Sequence, residues 1–72
     1  MWIAERSNAG VTVTDGEQVV VLRGKRSALP YAIVIRNGMG QERVHGMSAH
    51  PLTSKDGCPV VASVPVSAEP AA

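Results

Sequence analysis

GVTVTDGEQVVVLRG, residues Gly10–Gly24, places two β-branched runs on either side of Thr14-Asp15-Gly16. Asp-Gly between such runs is a strong short-range hairpin signal, because the turn needs a residue that accepts positive φ. A two-residue loop at Asp15-Gly16 sets Val19 and Val21 on the face opposite Val11 and Val13. A three-residue loop, with Thr14 and Asp15 in a type I turn and Gly16 left-handed, gathers Val11, Val13, Val19 and Val21 on one face. The three-residue loop is therefore the expectation. Val19-Val20-Val21-Leu22 is continuously apolar, which reads as a strand buried on both faces at the centre of the sheet.

Working outward, Trp2–Glu5 reads as a first strand and Ser7-Asn8-Ala9-Gly10 as the turn into the hairpin. Gly24–Ser27 is a basic loop. Proline has no amide donor, so Leu29-Pro30 stops any ladder and a new strand begins at Tyr31. Tyr31–Arg36, YAIVIR, alternates with Tyr31, Ile33 and Ile35 on one face and runs into Asn37-Gly38, a preferred hairpin dipeptide. The return strand, Gln41–His45, pairs Tyr31 or Ile33 with Val44, depending on whether Met39-Gly40 joins the loop. Its charges suit a solvated edge. Gly46–Gly57 is irregular apart from the turn signal Ser54-Lys55-Asp56-Gly57. Pro59–Val64 is a last strand, held to an edge by Pro59 and Pro65. No segment of ten residues carries helical spacing. The expectation is an all-β domain over residues 1–65, a five- to six-stranded antiparallel barrel or strongly curved sheet built from two hairpins. Residues 66–72 are expected to be a disordered tail.

The chain has 72 residues, and one this short buries only about 60% of its unfolded surface. Its apolar residues are mostly Val and Ala, with Trp2 and Tyr31 the only aromatics and Cys58 the only cysteine. A disulfide within the chain is excluded, which leaves self-association as the available reinforcement, and the Pro59–Val64 edge as the strand to provide it. The unpaired cysteine, the early charges Glu5 and Arg6, and the lack of any membrane-length apolar run suggest a cytoplasmic setting without membrane contact.

His45, His50 and Cys58 are the residues with transition-metal chemistry, but H-x4-H-x7-C matches no common zinc spacing. No metal or cofactor is expected. Ser48 between the two histidines lacks a nucleophile elbow and an orienting carboxylate, so catalysis is not expected either. Gly24-Lys25-Arg26-Ser27 looks like the end of a phosphate loop, yet Val19 stands where the earlier glycine belongs.

Net charge is only +1, unevenly spread. Residues 1–20 carry −2 (Glu5, Asp15 and Glu17 against Arg6), residues 21–40 carry +4 (Arg23, Lys25, Arg26, Arg36), and residues 41–72 carry −1. Arg23, Lys25, Arg26, Arg36 and Arg43 are therefore the candidate binding residues. Their partner is expected to be a protein with an acidic surface, as for an accessory or inhibitor protein of a phage or other mobile element. Nucleic acid is the alternative, weakened by the scarcity of aromatics for base stacking.

Overall fold

In the computed structural model, which describes residues 1–68, both hairpins and their flanking strands join one sheet. In chain order these are β1 (Ile3–Ser7), β2 (Gly10–Thr14), β3 (Val19–Leu22), β4 (Tyr31–Arg36), β5 (Glu42–Ser48), β6 (Ser54–Lys55) and β7 (Cys58–Ala68), with a 3-10 turn at Lys25–Ala28. The spatial order is β3-β2-β1-β7-β4-β5, with β6 paired to β7 off that path. The sheet curls into a nearly closed barrel. β1 and β7 are parallel, so the sheet is mixed where a purely antiparallel one was expected.

The central strand is β7, and the expected edge position of Pro59–Val64 is corrected. Both prolines fit because β7 changes partners along its length. Val66 N–H donates to Pro30 O (2.9 Å), so by alternation the Pro65 nitrogen faces away from β4, and β1 begins only at Ala4↔Val66. At the other end Val60 N–H donates to Thr53 O (3.0 Å), and Pro59 precedes the first pair with β4, Ile35↔Val60. Each missing donor falls where no ladder needs it. The strand also outruns its expected end: Val66–Ala68 pair with β1, while residues 69–72 of the expected tail lie outside the described residues.

The first hairpin has a four-residue loop, not three. Thr14 pairs with Val19 and Val13 with Val20. Asp15 Oδ1 accepts the Glu17 and Gln18 amides (2.9 and 2.8 Å), while Thr14 Oγ1 accepts that of Gly16 (3.0 Å), and these bonds hold Asp15–Gln18 together as the loop. The face assignment changes with it. Val11, Val13, Val20 and Leu22 point inward, whereas Val19 and Val21 point outward at 66% and 44% exposure. β3 ends the sheet, which overturns its expected central place.

The second hairpin also departs from both expected registers. Val44 lies opposite Val34, across a loop closed by Asn37, whose Oδ1 accepts the Met39 and Gln41 amides (2.9 and 3.0 Å). Ladder shifts beside Val34 on both flanks leave His45 of β5 and Val61 of β7 as extra residues. Bulges on both sides of one strand add the curvature that a small barrel needs. β5 is an edge, as its charges indicated.

Trp2, Ala4, Val11, Val13, Ala32, Val34 and Val64 form the core, with Leu22, Val44 and Met47 packed against them. The inward face of β4 is thus Ala32 and Val34, not the expected Tyr31, Ile33 and Ile35. Ile33 is nevertheless only 2% exposed, and the segment before β6 accounts for this: Ser63 Oγ accepts the Leu52 amide (2.9 Å) and donates to Leu52 O (3.2 Å). That clamp sits beside Ile33, whose ladder partner is Ser63.

Candidate functional site

β1 closes the barrel at both ends. Its alternate residues Ala4 and Arg6 share the inner face, since Ala4 pairs with Val13 and Arg6 with Val11, and Trp2, just before the strand, is buried in the same core. At one end Trp2 Nε1 donates to Glu42 Oε1 (2.8 Å), and Gln18 Nε2 donates to Glu42 O (3.0 Å). At the other, the Arg6 guanidinium donates to the carbonyls of Ser27 and, at 3.2 Å, Leu29, tethering the 3-10 turn over the opening. The two ends carry different charges as a result. Asp15, Glu17 and Glu42 gather at the Trp2 end, and Arg23, Lys25 and Arg26 at the Arg6 end.

The five cations expected to act together are divided. Arg23, Lys25 and Arg26 are exposed around the 3-10 turn that leads into β4. Arg36 ends that strand, about 16 Å further along at strand rise. There it lies 3.5 Å from Glu42, and Arg43 Nη2 donates to Gln41 Oε1 (3.3 Å). Arg36 and Arg43 therefore sit at the Trp2 end, where Glu42 partly neutralises Arg36 while Arg43 makes no ion pair among the described residues.

Arg26 instead meets a residue that charge counting along the chain passes over, Lys55. Both line a pocket of about 70 Å³ with His45, Gly46 and Met47 of β5, Ile33 of β4 and Leu52. Ile33, Met47 and Leu52 give it apolar contact, while Arg26 and Lys55 supply donors. His45 is the bulged residue of β5, and its Nε2 lies 2.8 Å from Asp56 Oδ2, which ties it to the β6–β7 turn. Among the described residues, the side chains of Arg23, Lys25, Arg26 and Lys55 make no ion pair. Lys55 is the contribution that sequence reading missed. It is 29 positions from Arg26, and only the folding of the Leu52 segment onto β7 brings the two together. A second hollow, of about 260 Å³, is lined by Glu5, Arg6 and Ser7 of β1 and by Thr12 and Thr14 of β2.

The remaining chemical candidates stay apart. His45 is engaged with Asp56, His50 is exposed, and Cys58 is half-buried at the start of β7. No three metal-ligating side chains converge among the described residues. Ser48 Oγ, at the end of β5, accepts the His50 amide (3.2 Å), a turn bond leading out of the strand. No described helix is long and apolar enough to cross a membrane. In comparisons with known proteins the chain matches no family model, no curated protein and no solved structure.

Proposed function

We propose that the chain is a protein-binding module that presents its Arg6 end to an acidic protein surface and acts by occupancy, in the manner of an accessory or inhibitor protein. The observation that carries this reading is that Arg26 and Lys55, without ion pairs among the described residues, line one pocket with Ile33, Met47 and Leu52, while Lys25 is exposed next to Arg26. A pocket of about 70 Å³ suits one carboxylate side chain with an apolar neighbour, and is small for a nucleotide base. Opposite charge speeds and orients encounter, and the apolar floor supplies contact area that charge alone does not. The aromatics also favour a protein over nucleic acid. Trp2 is buried in the core and Tyr31 is half-buried, so neither ring lies open for base stacking.

The test is a pair of titrations of the isotope-labelled chain, one with a Glu- and Leu-containing peptide and one with a mixed-sequence single-stranded oligonucleotide. At physiological salt the peptide is expected to shift the amides of Lys25, Arg26, His45 and Lys55. The double variant Lys25→Glu, Arg26→Glu should lose that response with its melting temperature nearly unchanged, because exposed charges contribute little to stability. Submicromolar oligonucleotide binding that falls log-linearly with salt would replace this reading with the nucleic-acid one. Peptide shifts confined to the Trp2 end would overturn the site.

A further inference from the structure

The two edges of the sheet are guarded very differently. β5 carries Glu42, Arg43 and the His45 bulge, devices that discourage strand addition. β3, Val19-Val20-Val21-Leu22, has no charge, no proline and no bulge, and it pairs with β2 alone. Among the described residues β3 and β5 share no ladder; Gln18 bonds to Glu42 at one end of the seam, and the 3-10 turn lies against β2 and β5 at the other.

The free backbone groups of β3 can be identified from the loop. Asp15 N–H donates to Gln18 O (3.4 Å), and bonded pairs alternate along an antiparallel ladder, so Val20 and Leu22 exchange bonds with Val13 and Val11. The N–H and C=O groups of Val19 and Val21 therefore face the open edge. These are also the residues whose side chains stand exposed on the outer face.

We propose that this edge binds a second copy of the chain, two β3 strands pairing antiparallel about a two-fold axis at Val20. In that register Val19 of each copy lies opposite Val21 of the other, so every free donor and acceptor of the edge meets its complement, and the exposed valines become cross-strand pairs. Glu17, in the loop just before β3, then falls on the same side of the junction as Arg23 of the other copy, which directly follows β3. A slip of two residues in either direction breaks the Val19–Val21 pairs, setting Val19 against Arg23 or Val21 against Glu17, and a one-residue slip breaks the match of bonded pairs. The same arrangement sets the acidic Trp2 end of one copy beside the basic Arg6 end of the other. Charge complementarity and register thus select a second copy as the occupant.

Sedimentation of the full chain across micromolar to millimolar concentration tests this. The expected result is a species of about twice 7.5 kDa that dissociates on dilution. Glu17→Arg and Arg23→Glu, both at exposed positions, should each weaken association by about tenfold or more, and the combined charge swap should restore it. A chain that stays monomeric throughout the range overturns the proposal. So do single variants that associate as tightly as the original, or a swap that fails to rescue while the circular dichroism of all the variants is unchanged.

Discussion

Two glycines show how differently one residue type is constrained. Gly10 has φ +124°, and a Cβ placed there would stand 2.2 Å from Leu22 O, so any side chain must break the end of the β2–β3 ladder. Gly16 has φ +100° with open space around it, which leaves backbone strain as the whole cost, about 1–3 kcal/mol. Gly10→Ala is therefore expected to destabilise more than Gly16→Ala, read as the shift in urea midpoint at constant slope. Equal shifts would contradict the close approach of Gly10 to Leu22. Asp15 adds a pH dependence. The Gln18 amide, then that of Glu17, holds its carboxyl below the usual 3.8. A depressed folded pKa means that the carboxylate's stabilisation is complete above the unfolded value and fades as pH falls through the lower folded one. Asp15→Ala should lower the melting temperature at neutral pH, and the gap between the two proteins should narrow in strong acid.

At the scale of elements, the strands themselves were largely legible and their neighbours were not. Tyr31–Arg36 matches β4, and Asp56-Gly57 is a turn, with Asp56 at φ 51°. Register escaped because Asp15 and Asn37 each lengthen a loop through side-chain bonds to amides beyond the dipeptide that signals the turn. Rank in the sheet escaped because it is a property of partners. Val19–Leu22 is more uniformly apolar than Cys58–Ala68, yet the second is flanked by β1 and β4 and the first by β2 alone. Of the binding residues, Lys25 and Arg26 were visible as local charge; Lys55 was not, since its place depends on Leu52 docking to Ser63. Ser63→Ala removes both bonds of that clamp and should cost about 1–3 kcal/mol. The same variant should raise hydrogen exchange at the Leu52 amide while leaving β1 and β2 protected. Unchanged exchange there would mean that the segment is held by apolar contact with Ile33 instead.

At the scale of the whole molecule, a barrel with so few large side chains depends on what plugs its ends. Trp2 does this at the acidic end with a bond to Glu42, and Arg6 at the basic end with bonds to Ser27 and Leu29. Trp2→Phe should lose about 1 kcal/mol with the hydrogen bond, and Trp2→Ala about 3–5 kcal/mol, a large part of the stability of a domain this size. Near-equal melting temperatures of Trp2→Phe and Trp2→Ala would show that the ring is not a core element. Both the separation of charge and the pocket follow from where β1 lies, and β1 is located by its parallel pairing with the end of β7. That pairing is the least expected feature of the chain and the one on which the assignment of ends rests. Nuclear Overhauser contacts between the two strands test it most directly. Backbone contacts linking Ala4, Glu5 and Arg6 with Val66, Ser67 and Ala68 in parallel register are the predicted result, whereas a Val66–Ala68 segment with no contact to β1 and the averaged shifts of a free chain would contradict it.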